Sequence, residues 1–255
     1  MSSIVGALQF DIAWEDKAAN FAAVRRLLEK AHVAQNSLIA LPEMFATGFS
    51  MKADAIAEAY GGETEQFLGQ LAKEFGILLV AGAAMRGKDG KARNKALVFS
   101  PEGKLMAWYA KMRPFTPGGE KDFYAAGKAV TSFRWGECTV SPFVCYDLRF
   151  PELFREAAKV HRPEVFVVIA NFPEKRIQHW IRLLQARAIE NQAYVLAVNR
   201  IGKDPYYEYP GRSIIVDPDG EIIADAGMKE GYISAELDLM KLKKYRSGLP
   251  FLQDM

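Results

Sequence analysis

Three polar residues of different chemical types each come directly after an apolar, strand-like run. Glu43 follows the run SLIALP, Lys111 follows LMAWYA, and Cys145 follows PFV. Loops at strand ends are where α/β proteins commonly place reacting groups. Taken alone, either charged residue is an ordinary solvated strand end, and an isolated cysteine is a small core side chain. Taken together, the three residue types suffice for acyl transfer.

A cysteine acts as a nucleophile only when its proton is removed. A free thiol has a pKa near ~8.5, so at neutral pH it needs a base or a nearby cation. A carboxylate whose pKa is raised by burial can take the proton, and a lysine can favour the thiolate and then stabilise an oxyanion. The histidines, His32, His161 and His179, show no pairing with the cysteines at zinc-ligand spacing. We therefore expect structural or surface histidines and no metal site.

The segments around the three polar residues resemble the signature segments of the nitrilase (carbon–nitrogen hydrolase) superfamily. They are LPEMF at 41–45, YAKMR at 109–113 and VCYDLRFPE at 144–152, in the family order and with family-like separations. The segments NFP at 171–173 and ARAIENQ at 186–192 look like further family segments. The resemblance therefore covers essentially the whole chain.

This resemblance implies a role for each residue. Cys145 is the nucleophile, Glu43 the general base and acid, and Lys111 the cation that stabilises the oxyanion. Glu120 matches a second glutamate that many members place beside the lysine, and the backbone N–H of Tyr146 shares the oxyanion hole. Motifs for nucleotide cofactors and phosphates are absent from the sequence, so no cofactor is expected.

Within the superfamily, the segments FVCYDLRFPE and ARAIENQ look most like the ω-amidase branch. Members of that branch hydrolyse the terminal amide of α-keto acid amides such as α-ketoglutaramate and α-ketosuccinamate. The resemblance implies that the partners are a small-molecule amide and water, with ammonia released. Three alternatives stay open: hydrolysis of another C–N bond (an N-carbamoyl amide, an aliphatic amide or a nitrile), a thiol peroxidase-type enzyme, and a binding module without activity.

An ω-amidase must distinguish a keto-acid amide from a neutral amide of similar size. A buried carboxylate needs a partner, and a guanidinium pairs with it in a bidentate geometry. Arg149 and Arg113 follow the nucleophile and lysine motifs, although each can instead hold its own loop. Arg176 lies at the start of a predicted helix, where backbone N–H groups also favour anions. We expect Arg176 to receive the carboxylate and Phe172 to form an apolar wall.

The composition excludes several classes of partner. The chain has 255 residues, 25% of them charged, and a formal net charge of +2, which argues against binding to nucleic acid or an anionic membrane. The sequence contains no run of about 18 apolar residues and no secretory signal at its start, so we expect no membrane span and a cytoplasmic location. Cys138 and Cys145 are predicted on opposite faces of one strand, where they would not form a disulfide.

Apolar runs and amphipathic patterns predict two similar halves. The predicted strands of the first half are residues 4–10, 37–41, 77–83, 96–99 and 104–110, with helical patterns between the earlier ones. The predicted elements of the second half are strands at 138–145, 165–170, 194–199, 213–216 and 221–224, and helices at 152–159 and 175–192.

Runs such as VFVVIA and ILLVA show no polar alternation, so each sheet must be covered on both faces. We expect an α/β protein with one domain over residues 1–255, a four-layer α-β-β-α sandwich of two mixed sheets, which is also the fold that the resemblance implies. The predicted helix at 175–192 has more apolar residues than one sheet face requires, which predicts a homodimer. These residues are Trp180, Leu183, Leu184, Ala188 and Ile189.

Overall fold

Two six-stranded mixed sheets form the centre of the fold in the computed structural model, which describes residues 3–255. The strands are β1 (Ile4–Gln9), β2 (Leu38–Ala40), β3 (Leu78–Arg86), β4 (Ala92–Phe99), β5 (Leu105–Ala110), β6 (Phe133–Trp135), β7 (Cys138–Val144), β8 (Val165–Ala170), β9 (Tyr194–Asn199), β10 (Ile201–Lys203), β11 (Glu208–Pro210), β12 (Ile214–Val216), β13 (Ile222–Asp225) and β14 (Gly231–Glu236). The α-helices are α1 (Lys17–Ala31), α2 (Ala53–Ile56), α3 (Glu63–Phe75), α4 (Glu120–Phe123), α5 (Pro151–His161), α6 (Ile177–Asn191) and α7 (Leu239–Gly248).

Each sheet has a parallel centre and antiparallel edges. The first sheet has the order β14-β1-β2-β3-β4-β5, with β1, β2 and β3 parallel. The second has the order β13-β12-β9-β8-β7-β6, with β7, β8 and β9 parallel. Strands β10 and β11 form a separate hairpin. Because parallel strands end at the same edge of a sheet, the loops after them meet at one end of the sandwich.

The strands are apolar on both faces because each sheet is covered twice. On β1, Val5 and Ala7 lie in the core between the sheets, whereas Leu8 packs on the outer side with residues of α1 and α3 such as Val24 and Leu71. Helices α5 and α6 pack against β7 and β9 of the second sheet. The predicted four-layer α-β-β-α sandwich of two mixed sheets is therefore confirmed.

Local sequence signals set the ends of several helices. Helix α1 begins after Asp16, whose side chain accepts a hydrogen bond from the N–H of Ala19 at 3.0 Å. Helix α3 ends at Phe75 and is capped by Gly76, which has the left-handed φ of 62° that glycine adopts at little cost. Pro151 is the first residue of α5, where its missing N–H is not needed. The helix therefore starts a few residues after Cys145.

Several element boundaries differ from the predicted ones. The strand predicted to include Cys145 ends at Val144, and Cys145 begins a 3-10 turn, Cys145–Arg149. The helix predicted from residue 175 begins with a 3-10 turn, Glu174–Arg176, before α6. Short elements with weak apolar patterns were not predicted; they are β6, β10, β11, β14, α2, α4 and α7.

Much of the apolar surface of α6 is used inside the chain. Trp180, Leu184 and Ala188 are fully buried against the second sheet, so they are not the excess surface that the sequence suggested. Ile189 remains 46% exposed and Leu183 is half-buried. The homodimer stays a prediction. Among the helices of residues 3–255, none has both the length and the apolar character needed to cross a bilayer.

Candidate active site

Glu43, Lys111 and Glu120 form a buried ionic cluster. The Nζ atom of Lys111 lies 2.9 Å from Oε1 of Glu43 and 2.8 Å from Oε2 of Glu120, and all three side chains are at most 1% exposed. Glu43 comes just after β2, Lys111 directly after β5, and Glu120 at the start of α4. The structure thus brings together three of the residues that the sequence predicted to act as a unit.

Asn94 connects the two glutamates and was not predicted. Its Nδ2 donates to Oε1 of Glu43 at 2.7 Å and to Oε1 of Glu120 at 2.9 Å. Its backbone carbonyl accepts from the N–H of Lys111 at 2.9 Å. In the sequence, Asn94 is merely a polar residue just before the predicted strand 96–99. In the structure this strand begins at Ala92 and so includes Asn94. Asn94 therefore holds both carboxylates and the lysine in one arrangement.

The second sheet also holds Glu43. The backbone N–H of Asn171, just after β8, donates to Oε2 of Glu43 at 2.9 Å, and the side-chain amide of Asn171 donates to the backbone carbonyl of Glu43 at 3.0 Å. The carbonyl of Asn171 also accepts a long contact of 3.8 Å from the Sγ of Cys145. The NFP segment of the sequence thus contacts both the candidate base and the candidate nucleophile.

Cys145 has a left-handed backbone conformation, with φ of 46°. A residue other than glycine in this region is strained by roughly 1–3 kcal/mol and persists only when its surroundings hold it there. The buried carboxylate of Asp147 supplies part of that support. It accepts from the N–H of Val144 at 3.2 Å, the N–H of Arg113 at 2.9 Å and the hydroxyl of Tyr109 at 2.9 Å.

A second support for this turn comes from α6. The Nη2 atom of Arg187, which is 4% exposed, donates to the carbonyl of Leu148 at 2.8 Å. Its Nη1 pairs with Glu190 at 3.0 Å, and its guanidinium lies over the ring of Phe154. The ARAIENQ segment therefore carries a residue that fixes the cysteine turn.

The charges of the cluster set the protonation of the thiol. Burial, together with the adjacent carboxylates of Glu43 and Glu120, raises the pKa of Cys145 well above its usual value, although Lys111 opposes the shift. Burial disfavours the ammonium of Lys111, but Glu120 and Glu43 outweigh it and raise the pKa of Lys111. Lys111 thus favours the thiolate, as expected, but burial and the two carboxylates outweigh its effect, so the thiol needs a base to lose its proton.

Cys145 opens onto a cavity with aromatic walls. Six aromatic residues contribute to its lining: Phe49, Phe115, Tyr146, Phe172, Tyr207 and Tyr209. Phe172 is held by Asn199, whose Oδ1 accepts from its N–H at 2.7 Å and whose Nδ2 donates to its carbonyl at 3.0 Å. Tyr207 and Tyr209 come from the hairpin of β10 and β11, which was not predicted.

Arg149 and Arg176 line this cavity, whereas Arg113 does not. The guanidinium of Arg176 lies over the rings of Phe115 and Tyr207, at 5.3 and 5.9 Å from their centroids. Arg149 lies 5.4 Å from the centroid of the Phe172 ring, and its Nη1 is 3.2 Å from the Nδ1 of a histidine. Within residues 3–255, no carboxylate forms an ion pair with either arginine. The cavity thus has two cations that are free to pair with an anion.

Arg113 and the histidine neighbour of Arg149 lie outside the cavity. Arg113 extends toward Glu152, with Nη2 and Oε1 separated by 3.4 Å, and its backbone N–H supports the cysteine turn. The histidine that contacts Arg149 is His179, an exposed residue. Across residues 3–255, histidine, cysteine, aspartate and glutamate side chains form no cluster of three or more that could hold a metal ion.

A two-sheet α/β sandwich with a thiol beside buried carboxylates and a buried lysine at one end is the arrangement of the nitrilase superfamily. The sequence profile of the carbon–nitrogen hydrolase family matches residues 4–247. The chain therefore belongs to the carbon–nitrogen hydrolase family.

The chain is similar to several named proteins over nearly its full length. It is 32% identical to a 2-oxoglutaramate amidase of Bacillus subtilis, covering 100% of this chain and 98% of the relative. It is 39% identical to an omega-amidase of Yersinia enterocolitica, covering 97% and 94%. A CN-hydrolase superfamily protein of Xanthomonas campestris, crystallised with an arsenic adduct in its active site, superposes with a TM-score of 0.94 at 32% identity, covering 100% and 97%. The predicted resemblance to the ω-amidase branch and the prediction of an amide-hydrolysing enzyme are confirmed.

Proposed function

We propose that this enzyme hydrolyses the terminal carboxamide of a small α-keto acid amide, such as α-ketoglutaramate or α-ketosuccinamate, and releases ammonia. The observation that supports this most directly is the cavity, which is lined by Cys145, the buried Glu43 and two arginines that have no carboxylate partner within residues 3–255. Two of the similar proteins are a 2-oxoglutaramate amidase and an omega-amidase. The chemistry uses water and the side chains of this chain, with no cofactor.

In the first step, the Sγ of Cys145 attacks the carboxamide carbon and Glu43 accepts the thiol proton. A base is needed because burial and the neighbouring carboxylates raise the pKa of the thiol. The C–S bond forms as the carbonyl π electrons move to oxygen, which gives a tetrahedral oxyanion. The ammonium of Lys111 and the backbone N–H of Tyr146 stabilise this oxyanion, and a single donor of this kind typically contributes ~10²–10³ in rate.

In the second step, the C–N bond breaks and a thioester forms on Cys145. Glu43 returns its proton to the leaving nitrogen, so that ammonia departs as a neutral molecule. A water molecule then attacks the thioester carbon while Glu43 takes its proton. The C–S bond breaks, and Glu43 returns the water proton to the departing sulfur, which restores the thiol. The product leaves as a carboxylic acid, which ionises by giving its proton to ammonia or solvent.

Glu120 acts on this reaction through Lys111. Its carboxylate lies 2.8 Å from the ammonium and accepts from the N–H of Phe115 at 2.5 Å. With Asn94, it keeps Lys111 charged and directed toward the cavity while Glu43 gains and loses a proton. Glu120 is therefore a positioning residue in this proposal.

The arginines provide the selection for an acidic substrate. Arg176, held between two aromatic rings, pairs with the substrate carboxylate, and Phe172 forms an apolar wall beside the carbon chain. Arg149 lies on the same cavity and is the second cation available to the keto-acid end. A neutral amide of similar size would leave these two guanidinium groups without an anionic partner.

The proposal is tested by incubating the protein with α-ketoglutaramate and measuring ammonia release. The comparison substrates are a neutral aliphatic amide, an N-carbamoyl amide and a nitrile of similar size. We expect kcat/KM for the keto-acid amide to exceed that of each comparison substrate at least ~10²-fold, the discrimination expected when buried polar groups lose their partner. A higher kcat/KM on an N-carbamoyl amide or a nitrile would replace this substrate class with another one of the same family.

A further inference from the structure

Lys95 is a buried lysine on the face of β4 opposite to Asn94. Lys95 is 1% exposed, and its Nζ lies 2.8 Å from the hydroxyl of Tyr60. The same ammonium lies 4.2 Å from the centroid of the Trp108 ring and 4.8 Å from that of Tyr60. Consecutive residues of a strand point to opposite faces, so Lys95 lies outside the catalytic cavity.

The charge of Lys95 has no anionic partner in the structure. Within residues 3–255, no carboxylate forms an ion pair with it, whereas Lys111, which is also 1% exposed, pairs with Glu43 and Glu120. Burying an ammonium without an anion is costly, and two aromatic rings with one hydroxyl compensate only in part. Lys95 is thus prepared for an anion that residues 3–255 do not supply.

Lys95 lines an open cleft of about 930 Å³ that has an excess of positive charge. The other cationic residues of its lining are Lys88, Arg93 and Lys128, and Asp89 is the acidic residue among them. Both oxygens of Asp89 are bound by Arg93, at 2.8 and 2.6 Å. The three lysines of the lining therefore have no acidic counterpart within the cleft.

The same cleft offers apolar surface to a ligand. Trp108 is 44% exposed and Tyr60 is 41% exposed, so both rings that surround Lys95 also face solvent. Small residues, among them Ala126, Gly127 and Ala129, also line the cleft and leave room for a bound molecule. Aromatic walls with a few directed polar groups are typical of sites for small organic ligands.

We propose that this cleft, the Lys95 cleft, is a second binding site for a small organic carboxylate. The carboxylate pairs with the ammonium of Lys95, and the apolar part of the ligand lies against Trp108. The aromatic walls favour such a ligand over a strongly hydrated inorganic anion.

Titration calorimetry with benzoate at constant ionic strength tests this proposal. We expect saturable binding to the wild type, and binding at least ~10-fold weaker to Lys95→Met, because a hydrogen bond to a charged group is lost. Methionine keeps the length of the apolar stem, so this variant should melt at the wild-type temperature or above it. Lys88→Met is the matched control, because Lys88 is an exposed residue of the same cleft. Its affinity for benzoate should stay within about twofold of that of the wild type, because exposed ion pairs contribute little.

Further variants and a second ligand show which site gives rise to the calorimetric signal. Arg176→Ala should retain benzoate binding at the Lys95 cleft, because that cleft is separate from the catalytic cavity, whose arginines can also pair with benzoate. Trp108→Ala should weaken binding at the Lys95 cleft even if Lys95→Met does not fold. Inorganic phosphate should bind more weakly than benzoate. The proposal is overturned by the absence of saturable binding, by equal binding to Lys95→Met, by loss of binding in Arg176→Ala, or by tighter binding of phosphate.

Discussion

Gly82 on β3 lies directly against the backbone of Glu43. A methyl group on Gly82 would overlap the Cα of Glu43 and come within 2.5 Å of the backbone nitrogen of Met44. The N–H of Gly82 donates to the carbonyl of Pro42 at 3.2 Å, and its carbonyl accepts from the N–H of Phe45 at 3.1 Å. The segment with the candidate base is therefore placed by close backbone packing that only glycine permits.

Replacing Gly82 should disturb catalysis through the position of Glu43. We expect Gly82→Ala to lower kcat by ~10–100-fold, since a displacement near 1 Å costs about that much, and to destabilise the fold by about 1–3 kcal/mol. Gly248→Ala is the control, because within residues 3–255 the added methyl group there meets open space beyond its own stretch of helix. Steady-state kinetics and thermal melting of both variants check this. Wild-type kcat in Gly82→Ala would contradict the proposed packing constraint.

The two cysteines should respond differently to the same substitution. Cys145→Ala removes the proposed nucleophile, so turnover should fall at least ~10³-fold, leaving only binding and oxyanion effects. Cys138→Ala changes a buried thiol at the start of β7, outside the site, and should keep kcat near the wild-type value. Ammonia release by the folded variants is the measurement. Substantial activity in Cys145→Ala would remove the thioester from the mechanism.

Substituting the two glutamates that pair with Lys111, one at a time, should distinguish the general base from the positioning residue. Glu43→Gln and Glu120→Gln each remove one carboxylate from the same ammonium, so their melting temperatures should fall by similar amounts. Both carboxylates act on the thiol of Cys145 through their charge, but of the two only Glu43 also forms a side-chain hydrogen bond with it. We expect a loss of at least ~10³-fold in kcat for Glu43→Gln and of ~10–100-fold for Glu120→Gln. Equal losses in the two variants would argue against Glu43 as the base.

The candidate triad could be located from the sequence because its signal is local. Glu43, Lys111 and Cys145 each end an apolar run, and the motifs around them are short. Asn94 could not be found in this way, since the run ARNK has the polarity of a loop. Its burial follows only from the pairing of β4 with β3 and β5, which places it between two glutamates distant in sequence.

Other features depend on contacts that a single segment does not encode. Strand β14 has polar and apolar residues in alternation, but this pattern does not show which strand it pairs with. In the structure it joins the first sheet by pairing with β1, at the other end of the chain. The left-handed backbone of Cys145 also has no local signal, because the apolar run continues up to it. That conformation is imposed by the distant partners of the turn, Tyr109 and Arg187.

Asp147 should make stability depend on pH. Burial raises the pKa of its carboxyl to about 7, from an ordinary value of 3.8. Between these values the folded protein binds more protons at this group than the unfolded chain does, so the free energy of unfolding falls as pH rises from about 4 to about 7.

The variant Asp147→Asn cannot titrate at this position. It loses part of the hydrogen bonding at every pH, but its free energy of unfolding should rise relative to that of the wild type as pH increases through this window. Urea unfolding near pH 4 and above pH 7 measures the change, with Asp122→Asn, an exposed position, as the control. A constant difference between Asp147→Asn and wild type across the window would refute the linkage.

Arg176 should determine the preference of the enzyme for acidic over neutral substrates. If it pairs with the substrate carboxylate, Arg176→Ala loses a charge-assisted contact, and KM for α-ketoglutaramate should rise ~10–100-fold. For a neutral primary amide of similar size, KM should stay within about twofold, because no carboxylate is present to lose its partner. Arg149→Ala, on the same cavity, should show a smaller change with the same selectivity.

Arg113→Ala is the matched control for Arg176, because Arg113 lies outside the cavity and pairs with Glu152. It should leave the ratio of the two KM values unchanged. Steady-state kinetics with both substrates on all three variants gives the answer, and melting curves show whether each variant is folded. An equal rise in KM for the charged and the neutral amide in Arg176→Ala would show that this arginine shapes the cavity without recognising a carboxylate.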